Sequence, residues 1–175
     1  MKNAYEIQGP ITRLPLTYKG LALETCISTA DLEKVSAFPG TWRAMLDPTS
    51  GNYYVVANSP RSWNNGKQRP VYLHRYLLDN PTSIVDHVNG KTLDNTRDNL
   101  RPVTGAGSAQ NKGLQKNSTS GIRGVSWYPR YGKGLAHAGG SGKLHNLGYF
   151  VDKNQAAEVA LAWRKENMPY YVERA

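Results

Sequence analysis

The sequence predicts an α+β fold laid out in three successive parts: a β-rich N-terminal region, a central ββα unit, and a C-terminal three-stranded sheet with one helix. Three observations predict it. Short apolar stretches bounded by Gly, Pro, Asn and Asp recur through the first half, as small strands do. A polar run, Val85 to Arg101 (VDHVNGKTLDNTRDNLR), breaks that pattern, and Asn154 to Glu166 then repeats Ala, Val, Leu and Trp at helical spacing. With 175 residues of which 39% are hydrophobic, the chain suits one ordinary domain or two small ones with modest cores.

Taken in order, Lys2 to Pro15 reads as an irregular lead-in, since Gly9-Pro10 discourages a helix. Leu16 to Thr29 offers short strands, and Thr29 to Ser36 a short helix that Pro39-Gly40 stops. Trp42 to Leu46 and Asn52 to Ala57 flank Asp-Pro-Thr-Ser-Gly, which predicts a β-hairpin with Trp42 as its core anchor. Asn58 to Pro70 is a polar, basic loop. Val71 to Leu78 is a strand leading into a helical turn, with Tyr72, Leu73, Leu77 and Leu78 inside and Pro81 closing the element.

The central unit starts with a strand over Ile84 to Val88 and a turn at Asn89-Gly90. Arg101-Pro102 interrupts any helix, and Val103 to Asn111 forms a weak one that needs packing or a ligand to hold it. Residues 1–112 are thus expected as one domain, 113–121 as a polar linker and 122–175 as a second domain. Within the latter, Ile122 to Tyr128, Leu135 to Ala138 and Leu144 to Phe150 are strands, and Asp152 caps a helix that Pro169 ends.

The formal charge of +9 implies an acidic partner, nucleic acid being the commonest, although charge alone does not separate DNA from RNA or a membrane face. Its distribution is sharper than its sum. No acid occurs between Asp98 and Asp152, where Arg101, Lys112, Lys116, Arg123, Arg130, Lys133 and Lys143 lie. A second acid-free interval, Thr49 to Leu78, holds Arg61, Lys67, Arg69 and Arg75. The single cysteine, Cys26, excludes an intrachain disulfide and a cysteine-rich zinc site. No leader-like start and no membrane-length apolar stretch is present, so the expected setting is a reducing cytoplasm, with no membrane and no obligate protein partner.

Chemistry concentrates in the polar run. An acid beside a histidine can place an oxygen on a divalent cation while the imidazole activates water, the minimum needed to attack a phosphodiester. Asp86 and His87 form that pair. Asn95 and Asn99 have side chains able to bond backbone across the loop and fix the direction of His87. His74 emerges nearby, as a structural histidine or a phosphate contact.

These residues resemble the HNH endonuclease family, specifically phage-type and intron-associated homing endonucleases that carry an AP2-like DNA-binding domain. The motifs are Leu73-His74-Arg75, Val85-Asp86-His87, Asn89-Gly90, Asp94-Asn95, Asn99-Leu100-Arg101 and Thr104. The resemblance implies a central ββα-metal (HNH) unit in which Asp86 binds the metal, His87 is the general base and Asn99 fixes the loop. It also implies Mg2+ as the ion, with Mn2+ substituting, and double-stranded DNA as substrate, cut or nicked to leave a 3′-hydroxyl and a 5′-phosphate. A phage-encoded copy would work in the cytoplasm of a bacterial host.

The family has asparagines four and seven residues beyond the threonine, the first a metal ligand; here Ser108 and Asn111 stand there. Ser108 binds through water, Asn111 takes the role, or activity is reduced. Past the linker, Asn117-Ser118-Thr119-Ser120-Gly121, Gly124-Val125-Ser126-Trp127 and Leu147-Gly148-Tyr149-Phe150 are similar to an AP2 domain, whose sheet enters the major groove. Arg123, Trp127, Arg130, Lys133, His137, Lys143 and His145 are the candidate contacts there, with core packing the other role open to Trp127. The Lys-Trp-x-Ala strand start of that family is replaced by Lys133-Gly134-Leu135-Ala136. A DNA-binding protein with a vestigial nuclease centre is the competing reading, and an RNA-binding role a third.

Overall fold

The computed structural model describes residues 1–115, 117–140 and 142–173; Lys116, one of the expected DNA-contacting cations, lies outside them. They divide into two compact units, Met1–Pro102 and Val103–Ala175, so the stretch expected as a linker lies inside the second. The expected mixed α+β class holds: four small sheets and short helices, with one longer helix near the C terminus. No described helix is long and apolar enough to cross a membrane.

In the first unit β1 (Glu6–Gln8), β2 (Ile11–Tyr18) and β3 (Leu21–Ser28) run antiparallel. The irregular lead-in expected up to Pro15 holds for Lys2 to Tyr5 and gives way to strand from Glu6, because Gly9-Pro10, with Gly9 at φ 60°, is the turn of a hairpin that pairs Gln8 with Ile11. Lys19 and Gly20, at φ 48° and 83°, make the next tight turn. β2 alternates as a half-buried strand should, with Thr12, Leu14 and Leu16 inward.

A 3-10 turn at Thr29–Asp31 leads into α1 (Leu32–Ser36). The expected hairpin is β4 (Arg43–Leu46) with β5 (Tyr53–Asn58), whose turn is held by Asp47 accepting from Thr49 N at 3.1 Å and Ser50 Oγ at 2.6 Å. β6 (Pro70–Tyr72) adds a third strand and passes directly into α2 (Leu73–Leu77), the expected strand-to-helix element. Leu14, Ile27, Val35, Phe38, Trp42, Val55 and Leu73 fill the core at 0–1% exposure, which confirms Trp42 as an anchor; its ring lies 4.6 Å from that of Phe38.

β7 (Ile84–His87) pairs with β9 (Leu100–Val103), while the two residues of β8 (Asp94–Asn95) join the first sheet in parallel, Asp94 beside Cys26 and Asn95 beside Ile27. The return arm of the central unit is thus captured by β3 rather than left as a free loop.

In the second unit, α3 (Gly105–Gln110) is capped by Thr104, whose Oγ1 accepts from Gly107 N at 3.1 Å. β10 (Val125–Tyr128), β11 (Lys133–Gly140) and β12 (Lys143–Phe150) form an antiparallel sheet covered by α4 (Lys153–Asn167), which the Asp152 carboxylate caps from 2.8 Å. Val125, Ala136, Ala156 and Ala160 are its buried centre. Gly134 stands opposite Trp127, and a Cβ there would come 3.0 Å from the indole, so the glycine provides the space the ring occupies.

Candidate active site and basic surfaces

His87 ends β7 and is 5% exposed. Its Nε2 lies 3.3 Å from Asn95 Oδ1, and the rest of the hydrogen-bond chain assigns the polarity. Thr25 Oγ1 donates to Leu93 O at 2.6 Å, so it accepts from Asn95 Nδ2 at 2.9 Å. That turns the amide oxygen of Asn95 toward the imidazole. An oxygen can only accept, hence Nε2 carries a proton and donates it to Asn95.

Asn99 does the loop-fixing work. Its Oδ1 accepts from Asn89 N at 2.8 Å, its Nδ2 donates to Asp94 O at 2.7 Å, and its carbonyl accepts from Val88 N at 2.8 Å. Asn95, expected in the same role, contacts His87 itself. Asp94 ties the turn from the other side, accepting from Asn89 Nδ2 at 2.7 Å and Thr96 Oγ1 at 2.8 Å. Burial would raise this carboxyl, but the hydrogen bonds from Thr96 and Asn89 outweigh it and hold the group below the usual carboxylate range. Arg97 anchors the next residues through a fork on the buried Asp31, Nε at 2.8 and 2.9 Å and Nη2 at 2.5 Å.

Asp86, the residue before His87, receives Arg101 Nε at 3.2 Å and Nη2 at 3.0 Å on Oδ2. Of the residues expected to meet the substrate, Arg101 thus meets the proposed metal-binding acid in this state. His74 is 8% exposed and its ring stands edge-on to His87 with centroids 5.2 Å apart. Burial first, then His87 and Arg75, push His74 down to about 3, so the second imidazole is neutral. Burial likewise lowers His87, opposed by the hydrogen bond to Asn95 and by the Asp86 and Asp94 charges.

Two aromatic rings close around the histidines. Tyr54 lies 5.7 Å from His74 and 6.2 Å from His87, and Tyr72 lies 5.6 Å from His74. Tyr54, Thr25 and Asp31 escaped sequence reasoning because they come from the distant strands and turn of the N-terminal half, where nothing local marks them. Arg97 and Asp94 lie inside the motif; Asp94 finds Asn89 and Thr96 within it, whereas the partner of Arg97 is the distant Asp31.

Among the described residues no group of three or more His, Cys, Asp or Glu side chains is placed to hold a metal. The expected ligand set contains one carboxylate, Asp86, with Ser108 half-buried and Asn111 buried in the second unit.

The basic residues separate by role. Arg61, Lys67 and Arg69 are exposed on the loop before β6. Arg75 instead closes its own loop, donating to Ser83 O at 3.0 Å and to Pro81 O. In the second unit Lys112, Arg130, Lys133 and Lys143 are exposed. Arg123 donates to Gln110 O at 2.8 Å, and His137 Nε2 meets Ser126 Oγ at 3.0 Å. His145 lies against Trp163 of α4 at 4.7 Å, and Trp127 has Lys153 Nζ 4.6 Å above its ring.

No family model matches the chain, and comparison with curated proteins and with solved structures found no match.

Proposed function

We propose that this chain is a metal-dependent endonuclease acting on double-stranded DNA, with Met1–Pro102 supplying the Asp86 and His87 half of a ββα-metal (HNH) centre and the sheet of the second unit serving as an AP2-like DNA reader. The observation that carries the reading is the Thr25–Asn95–His87 chain, which holds a buried imidazole in one orientation with its Nε2–H on Asn95. A protein core gains little from so specific an arrangement, whereas a general base needs it.

The Asp86 carboxylate is a hard oxygen donor suited to a divalent cation whose other positions water and phosphate oxygens can fill. Bound there, Mg2+ or Mn2+ would stabilise charge developing on the scissile phosphate. The chain's own residues do the rest. His87 takes a proton from the attacking water at Nδ1 while Nε2–H stays on Asn95. Asn99 keeps the turn closed so that the ring direction is fixed before substrate arrives. The exposed cations of the Arg61 to Arg69 loop and of β11 and β12 grip phosphates without reading bases.

A second reading is a DNA-binding protein whose nuclease centre is impaired. It is favoured by Arg101 on Asp86 and by the Ser108 substitution in the motif. Plasmid and phage DNA incubated with Mg2+ or Mn2+ separate the two. The endonuclease nicks or cuts, and His87→Ala and Asp86→Ala abolish it; tight binding without cleavage under either ion selects the second reading.

A further inference from the structure

We propose that the second unit contains a binding site for a phosphate group, built around Arg164 of α4 in a cavity of about 890 Å3 that α3, the segment after it and the sheet enclose. Arg164 is 6% exposed, lines the cavity, and has no carboxylate within ion-pairing distance among the described residues. Its Nη1 donates to Arg123 O at 3.0 Å, and its Nε has no hydrogen-bond partner. A buried guanidinium without a counter-charge is costly, and an anion entering the cavity supplies what the fold omits.

The cavity has the chemistry for that anion. Lys112, Lys143 and Arg123 also line it, and among the described lining residues there is no Asp or Glu. Arg123 and Arg164 both carry their guanidinium 5.3 Å from the Tyr171 ring, which gathers two cations around one aromatic side chain. Ser126 and His137 add hydrogen-bonding atoms to the same wall. The planar fork of a guanidinium matches phosphate oxygens in pairs, which makes phosphate the fitting ligand class. Where that phosphate belongs to DNA, the inference rests on the DNA-binding part of the reading above and not on cleavage; where it belongs to a free nucleotide or phosphate ion, it rests on neither.

The test uses the full chain in EDTA, so that binding is read without cleavage. In 1H–15N spectra the Arg164 Nε–H resonance, assigned by its loss in Arg164→Gln, is followed while inorganic phosphate and then a short DNA duplex are titrated. The proposal expects both to shift it, and expects the slope of log K for DNA against log salt to shrink by about 0.9 in Arg164→Gln. Should that variant fail to fold, Lys112→Gln and Lys143→Gln on the exposed rim carry the same test, each shrinking the slope by about 0.9. A shift with phosphate alone assigns the site to a free phosphate or nucleotide. No shift with either ligand overturns the site, even if the chain cuts DNA; a DNA-induced shift in a chain that cuts nothing keeps the site and overturns the nuclease.

Discussion

Replacing Asn95 by alanine isolates the feature on which the proposed chemistry depends. The amide is 1% exposed and joins two buried partners, His87 Nε2 at 3.3 Å and Thr25 Oγ1 at 2.9 Å. Its removal leaves a buried imidazole N–H unpaired and strips one bond from a hydroxyl that still donates to Leu93 O. A buried polar group left unsatisfied costs about 1–3 kcal/mol, and the long His87 contact and the surviving Thr25 bond place the sum at roughly 2–4 kcal/mol. For a chain of this length that lowers Tm by about 5–15 °C.

Catalysis should fall further than stability explains. With no acceptor at Nε2 the ring is free to carry its proton on Nδ1, and a tenfold to hundredfold loss in single-turnover cleavage follows, a part of the about 10²–10⁴ that general-base catalysis is worth. Asn95→Asp separates the roles: a carboxylate facing Nε2–H favours the imidazolium, so the acid limb of the pH–rate profile moves to higher pH. A normal cleavage rate in Asn95→Ala at a temperature where the variant is folded would refute the tautomer argument, and an unchanged Tm would refute the buried bond itself.

Other consequences are as specific. His74 has a folded-state value of about 3, below its unfolded one near 6.5, so the unfolded chain binds the extra proton and stability falls as pH drops through that window, by about 1.4 kcal/mol per pH unit; His74→Phe should flatten this slope in urea titrations. Gly124→Ala places a Cβ 2.8 Å from His137 O and 2.5 Å from Arg164 Nη1 at φ +80°, and should cost about 2–4 kcal/mol, seen as loss of the second unit's fold in circular dichroism. Gly134→Ala places a Cβ 3.0 Å from the Trp127 ring and 3.3 Å from Val125 Cγ1, and should cost about 1 kcal/mol while changing the indole fluorescence. Lys67→Ala and Arg69→Ala, both exposed, should each reduce the salt slope of DNA binding by about 1 without altering Tm.

The legibility of the chain followed the range of its interactions. The β4–β5 hairpin, the strand-to-helix passage at Tyr72 and Leu73, the Asp152 cap and the C-terminal sheet with its helix all carry local signals of turn residues, caps and periodicity, and all are present. The Gly9-Pro10 pair that forbids a helix also permits a hairpin, and Ile11 to Pro15 gains its strand by pairing with β1 on one side and β3 on the other. In the site, the Asp86-His87 pair and the Asn99 clamp were visible because their partners lie within the same short run. Asn95 took a different role from the one its turn chemistry suggested, since β8 is drawn onto β3 and meets Thr25, a partner 70 residues away. The Arg97–Asp31 fork is hidden for the same reason.

The most direct test of the nuclease account is single-turnover incubation of the wild-type chain and His87→Ala with a complex DNA library under Mg2+, followed by mapping and chemical typing of the ends. The account predicts wild-type breaks at defined positions bearing 3′-hydroxyl and 5′-phosphate termini, none in EDTA, and their loss in His87→Ala. Library DNA that is bound but remains uncut under both Mg2+ and Mn2+, or breaks that persist unchanged in the variant, would contradict it.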